Sequence, residues 1–506
     1  MKEKIIGIFV CMLLIATAVP VVATLKNSAI KPTIPSTPLA RGAEDWTEMQ
    51  KLLASDGAAG DYFGFSVSLS GDTAFIGAAQ DNSSRGSVYV FTRTGTDWTF
   101  QQKLNASDGA PYDQFGYSVS LSGDYALIGA ITDDAWRGSA YVFNRTGTKW
   151  TQQQKLIALD AQASDEFGYS VSLDGNTALI GAPWDDNPVA DTGSAYVFTR
   201  SGTAWTQQAK LNVSGAATYD FVGGSVSVSG DTALIGAYGD DSGYGSAYVF
   251  NRSGTTWAFQ QKLSGNTILD SLGVSVSLRG DTALIGAPGA DLKGCAYVFN
   301  RTGATWTQRQ KLNASDGAKN DNFGCSVSLS DDAALIGALG DDNWRGSAYI
   351  FTCTGTTWTQ QQKLTASDGI AGDWFGTSVS LDGDTALIGA HYNDDNETNS
   401  GSAYVFARPN LEFDITGGIG VNVDITNNGT ADANGVPWQI QVTGGILGMV
   451  NVNVNNVTDL PVGVPKTATT GFFLGLGPIT ITATVGDASK TANGIILFVW
   501  VIILPS

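Results

Sequence analysis

This 506-residue chain is predicted to be all-β, a seven-bladed β-propeller followed by an Ig-like β-sandwich. Three observations predict it. A unit of about 52 residues occurs seven times between Trp46 and Phe406, and a fixed period of that size marks a propeller or an array. Each unit holds three short stretches of period two and no helical period. After Arg408 the repeat stops, and a new run of short alternating segments begins.

Each copy reads, with small changes, WTxQQKL, then FGxSVSLSGDTALIGA, then GSAYVF. Ser66 to Leu69 alternates as a half-buried strand does. Ser70-Gly71-Asp72 is tight-turn chemistry, and Thr73 to Ala78 forms an apolar second strand. Tyr89 to Phe91 marks a third strand, and Trp98 to Leu104 a fourth. Four antiparallel strands repeated seven times give a propeller with strands A to D running from the axis outward. The chain enters the array on a fourth-strand sequence, Trp46 to Leu52, and leaves it on a third-strand one, Tyr404 to Phe406. The first segment is therefore expected to complete the seventh blade, which removes two free sheet edges.

The pairing of Phe-Gly with Gly-Ala-Pro about 13 residues later resembles FG-GAP repeats, the units of the integrin α-subunit propeller. Gly181-Ala182-Pro183 and Gly286-Ala287-Pro288 match fully, whereas the other copies keep Gly-Ala; the Phe is Val222 in the fourth copy and Leu272 in the fifth. The resemblance implies the propeller and places a ligand on the face carrying the D-to-A and B-to-C connections. The DxDxDG calcium loop of integrin-type repeats is replaced here by Ser-Gly-Asp or a near variant. A tight turn cannot supply the six to eight oxygens calcium takes, so those calcium sites do not carry over.

Residues 1–23 read as a signal peptide, with Lys2 and Lys4 before an apolar run and Val21-Val22-Ala23 at its end, an uncleaved anchor being the alternative. Residues 24–44, with Pro32, Pro35 and Pro38, read as a linker. The propeller is assigned to 45–408 and the sandwich to 409–506. A net charge of −19 argues against nucleic acid and anionic membranes as partners. Cys295, Cys325 and Cys353 fall at non-equivalent repeat positions and imply no disulfide framework. The chain is expected to be secreted or at the cell surface, associated with the envelope, and monomeric.

In the C-terminal part, Leu411 to Ile415, Gly420 to Ile425, Trp438 to Val442, Val450 to Val454 and Ile479 to Val485 read as strands. Asn427-Asn428-Gly429-Thr430 reads as a hairpin turn. The apolar stretch Ile495 to Leu504 is too short to span a bilayer; it reads as a buried final strand, with an envelope-interacting tail as the alternative.

One propeller face collects acids and aromatics. Its D-to-A loops hold Asp61, Asp113 and their equivalents, and its B-to-C loops hold Asp133-Asp134, Asp185-Asp186, Asp240-Asp241 and Asp341-Asp342. Trp136, Trp184, Tyr238, Trp344, Trp374 and Tyr392 lie in the same loops. Rings that stack and carboxylates that accept hydroxyl hydrogen bonds suit a glycan, or a protein ligand. The plainer reading is that the aspartates form turns and the rings pack over neighbouring blades. A calcium ion held by Asp113, Asp133 and Asp134 is a weaker expectation. The opposite face carries Arg93, Arg145, Arg200, Arg252 and Arg301 near turn aspartates, and should be charge-balanced. His391 is the sole histidine, which excludes His-based triads and His-rich zinc sites. The resulting expectation is adhesion or extracellular ligand binding without catalysis. The alternatives are a carboxylate-dependent polysaccharide hydrolase or lyase and a purely structural envelope component.

Overall fold

The computed structural model describes residues 46–503, apart from 187–189, 266–269, 396, 447–448, 472, 487 and 499. The expected signal peptide and linker lie outside the described residues. The chain divides into two units, one of residues 46–410 with 429–432, the other of 411–428 with 433–503.

Seven four-stranded antiparallel sheets make up the first unit. The first blade runs Phe63–Ser70, Thr73–Ala78, Ser87–Thr94 and Asp97–Leu104. The seventh runs Ser378–Asp382, Thr385–Ala390 and Ser402–Ala407, and Thr47–Leu52 supplies its outer strand by pairing antiparallel with Ser402–Ala407. The predicted ring closure is thus observed, across 350 or so residues of sequence. Second strands are buried, apart from the half-buried first residues Tyr125 and Thr282, and each seam between blades has its own apolar core, such as Phe75, Val88, Leu104, Phe115 and Ile128 between the first and second.

The repeated signature is a seam device. Gly116, in the Phe-Gly of the second blade, has φ +91°, and a Cβ on Gly77, in the Gly-Ala of the first, would lie 2.2 Å from the Gly116 carbonyl. Only two glycines allow that backbone approach. The alternating serines also cross seams: Ser68 Oγ accepts the Leu121 N–H at 3.0 Å, and Ser380 Oγ accepts the Leu69 N–H at 2.9 Å across the closure.

The outer strands carry a second clasp. Gln102 accepts the Trp150 N–H at 3.0 Å and donates to the Trp150 carbonyl at 2.9 Å. Gln50 with Trp98, Gln154 with Trp205, Gln261 with Trp306, Gln310 with Trp358 and Gln362 with Trp46 repeat it. Between the third and fourth blades the Gln is Ala209. There Trp257 is only half-buried, whereas those six tryptophans are at most 5% exposed.

The second unit is a two-sheet β-sandwich. Leu411–Thr416, Asn422–Asn427 and Lys466–Thr469 form a three-stranded sheet. The other sheet has six strands in the order Gly418–Ile419, Trp500–Ile503, Ala488–Phe498, Gly475–Val485, Ala433–Gly444, Val450–Leu460. Their inner faces share one core that includes Phe413, Ile425, Ile440, Ile481 and Ile496. The expected hairpin at Asn427 to Thr430 is not formed. The strand before it pairs with Lys466–Thr469 and the strand after it joins the other sheet, because the buried Asn427 amide instead donates to the Leu460 carbonyl at 2.9 Å. The last apolar stretch is half-buried: Ile496, Val501 and Ile503 face the core while Leu497, Trp500 and Ile502 are exposed.

Candidate functional site

The face with the D-to-A and B-to-C loops is built on a lysine that sequence reasoning passed over, the Lys of each QKL, or of AKL in the third blade. In the second blade Lys155 Nζ lies 2.7 Å from Asp108 and 2.5 Å from Asp133, and the Tyr141 hydroxyl donates to Asp133 at 3.0 Å. Lys210 similarly meets Asp160 and Asp185, Lys363 meets Asp316 and Asp341, and Lys262 meets Asp240 and Asp241. The inner acid of each pair is buried. Burial pushes the Asp240 carboxyl up, but hydrogen bonds from Lys262 and Tyr248 outweigh it and hold it below the ordinary range. Much of the expected acidity is therefore internally neutralised.

The calcium reading fares accordingly. Lys155 stands between Asp108 and Asp133, Asp134 pairs with Arg137 at 2.8 Å, and Asp113 accepts the Ala110 N–H at 2.6 Å. Among the described residues, no group of three His, Cys, Asp or Glu side chains is placed to hold a metal ion. The donors present do not fit calcium, since an ammonium already occupies the carboxylate they would share. Of the other predicted acids, Asp186 is exposed and accepts the Asp191 N–H at 3.0 Å, and Asp342 is exposed. On the opposite face Arg93, Arg145, Arg252 and Arg301 pair with Asp72, Asp124, Asp231 and Asp281 at 2.5 to 2.7 Å, as charge balance requires. Arg200 departs from the expectation, because its turn residue is Asn176, and it donates to that amide and to the Tyr125 hydroxyl.

The aromatics meet one another across blades. Trp344 stacks on Trp374 at 5.1 Å, Trp374 meets Tyr392 at 4.5 Å, and Tyr392 meets Tyr62 at 5.1 Å. His391 lies buried among Tyr62, Phe65, Trp374 and Tyr392, and burial drops its pKa to about 4. From Phe65 the contacts continue through Tyr117 at 4.9 Å to Tyr169 at 5.2 Å. A second group joins Trp184, Phe221 and Tyr238, with Phe221 4.7 Å from Trp184 and stacked on Tyr238 at 4.9 Å. Trp136 stands apart, 55% exposed, on a left-handed turn of Asp134, Ala135 and Trp136.

Sequence reasoning missed Tyr62, Phe65, Tyr117, Tyr169, Phe221 and Glu166. The signal was present: all six flank the Phe-Gly signature or its variant, one place before or after it. The residue before it is left-handed in every blade, with φ between 52° and 59° at Tyr62, Gln114, Glu166, Phe221, Ser271, Asn322 and Trp374. Glu166 is half-buried and hydrogen-bonds Trp184; burial raises its pKa to about 7. Burial likewise raises that of its neighbour Asp165, to about 6.

The FG-GAP repeat model matches residues 46–91, 98–143, 150–198, 205–250, 257–299, 306–351 and 358–406, one match per blade. The chain belongs to the FG-GAP repeat family. The chain also has a likeness to a solved structure from Bacteroides uniformis, provisionally assigned as a 6-phosphogluconolactonase. The TM-score is 0.45 at 10% identity, covering 61% of this chain and 87% of that one. No curated protein matches the chain. Among the described residues, no helix is long and apolar enough to cross a membrane.

Proposed function

We propose that this FG-GAP protein works outside the cell or at its surface, binding a glycan or protein ligand on the loop-bearing propeller face without chemical turnover. The observation that carries this reading is the chain of ring contacts from Trp344 through Trp374, Tyr392, Tyr62, His391, Phe65 and Tyr117 to Tyr169. Loops present Trp344, Trp374, Tyr392 and Tyr62, and the starts of the innermost strands carry Phe65 and Tyr117; side chains displayed at the loop end of a rigid scaffold are a usual form of recognition surface. Here they lie on the same face as the exposed carboxylates Asp186 and Asp342. Ring faces cover the C–H surfaces of a sugar or an apolar side chain, and carboxylates accept hydroxyl or amide hydrogens. The test is a glycan and matrix-protein array probed with the mature chain and with a Trp344→Ala, Trp374→Ala double variant. Specific binding that falls at least tenfold in the variant supports the reading; binding that the variant leaves intact refutes it.

A carboxylate-dependent hydrolase or lyase is favoured by one observation. Glu166 beside Trp184, with its pKa near neutrality, has the character of a general acid. Polysaccharide turnover that disappears in Glu166→Gln would establish that reading over the first.

A further inference from the structure

Four neighbouring strands of the six-stranded sheet in the second unit carry an ordered, uncharged lattice on the outward face. Three rows cross four neighbouring strands in register. Asn455, Gln439, Thr484 and Ser489 form one; Asn453, Gln441, Thr482 and Thr491 the next; Asn451, Thr443, Thr480 and Asn493 the third. All twelve side chains are amides or hydroxyls, in a chain whose net charge is −19. Side chains alternate strictly across a sheet, so the sequences NVNVN, QIQVT and TITAT place every polar residue outward and every apolar one toward the core. Core packing accounts for the apolar half of that pattern and leaves the choice of uncharged outward groups unexplained. Solubility alone is met by any charge, and exposed strands favour Lys and Glu as guards against association.

The lattice has regular dimensions. Neighbouring strands lie about 4.8 Å apart and alternate residues about 6.7 Å apart along a strand. Few of its groups satisfy one another: Gln439 donates to Asn453 at 2.9 Å, while Thr480 with Asn493 and Thr482 with Thr491 meet only at 3.5 Å. At one end a recess of about 400 Å³ is lined by Gln439, Asn455 and Thr484, with Trp438, Asn456 and Val457. At the other, paired strands carry Ile495 opposite Ile502 and the exposed Leu497 opposite the exposed Trp500.

We propose that this face binds a neutral polysaccharide. Amides and hydroxyls each both donate and accept, which matches a polymer whose own groups are hydroxyls of both kinds. The absence of lysine, arginine, aspartate and glutamate from the lattice removes the charge complementarity that an anionic or cationic polymer would use. The recess suits a sugar ring, and the Leu497–Trp500 end supplies apolar surface for C–H faces of further rings. Rows across four strands favour an extended chain over a single sugar.

The experiment is affinity electrophoresis of the mature full chain through gels holding soluble mannan or hydroxyethylcellulose, with dextran sulfate as the anionic comparison. Retardation by a neutral polymer is expected. It should weaken at least tenfold in Gln441→Lys, persist in Gln441→Asn, and persist in the Trp344→Ala, Trp374→Ala propeller variant. That last arm separates this site from the propeller face. A matching thermal melt of Gln441→Lys shows that folding is unaffected; if it unfolds, Thr491→Lys replaces it in the same comparison. No retardation by either neutral polymer, equal retardation by dextran sulfate, or binding indifferent to the lysine variants would overturn the proposal. So would a dimer that the lysine variants dissociate, which would make the face a self-association surface.

Discussion

The seam between the third and fourth blades is the one place where the outer-strand clasp is absent, and Ala209→Gln should restore it. At the fifth-to-sixth seam Gln310 gives the Trp358 backbone one donor and one acceptor, at 2.7 and 2.9 Å. Each bond is worth about 0.5–1.5 kcal/mol net. Fixing a glutamine side chain offsets up to about 1.5–2 kcal/mol of that gain. The half-buried Trp257 adds apolar burial if it settles as its six counterparts do. The sum is a gain of about 1 kcal/mol for Ala209→Gln. Gln310→Ala, which strips a formed clasp from an edge strand, should lose about 1–2 kcal/mol. The assay is denaturant unfolding followed by tryptophan fluorescence, with the midpoint compared at constant slope. If neither substitution moves the midpoint, the side-chain bonds are exchanged for water without loss, and the clasp contributes nothing to holding blades together.

Removing Thr47–Leu52 should open the ring and lower the melting temperature sharply, because the seventh blade loses its outer strand; an unchanged melting curve would refute the closure. Lys155→Met should destabilise the propeller by about 2–3 kcal/mol at pH 7 by leaving Asp108 and the buried Asp133 without their cation. Burial raises the Asp108 pKa, but the hydrogen bond and charge of Lys155 outweigh it and lower it overall. Its stabilisation is therefore present at neutral pH and lost in acid, so the variant's deficit should shrink toward pH 3; a deficit constant with pH would point to packing instead. Glu166 behaves in the opposite sense. Its folded pKa is raised from 4.5 to about 7 by burial, so the folded state holds the proton more tightly and stability declines as pH rises between those values. Glu166→Gln should be more stable than the parent by about 1–2 kcal/mol at pH 8, after discounting for solvent at a half-buried carboxyl. The two should converge at pH 4, and thermal melts across that range test it.

The propeller was legible because its signals are periodic. Seven in-phase copies identify the blades, and Trp46 to Leu52 preceding the first Phe-Gly identifies the closing strand. The acidic face was misjudged because a linear reading counts Asp133 and Asp134 together, whereas the fold brings Lys155, 22 residues later in the sequence, between Asp133 and Asp108. The ring contacts were only half legible. Trp344, Trp374 and Tyr392 stand out as loop residues, but Phe65, Tyr117 and Tyr169 look like ordinary strand positions until the innermost strands are brought side by side. In the sandwich, Asn427-Asn428-Gly429-Thr430 has turn composition, yet Asn427 is used to bridge to Leu460. Local turn propensity yields there to a long-range hydrogen bond.

The left-handed position before each Phe-Gly signature has a consequence for how such a molecule can change. Tyr, Gln, Glu, Phe, Ser, Asn and Trp all occupy it with φ values within 7° of one another. The backbone there is set by the glycine seam and not by the side chain it carries. The seven places therefore act as equivalent sockets around an axis, and exchanging their contents alters what the propeller displays while its frame stays the same. Moving Trp374 to the socket of Ser271, or Glu166 to that of Asn322, would rotate the displayed side-chain pattern by whole blades, a form of diversification open to a ring and closed to a fold without rotational repeats.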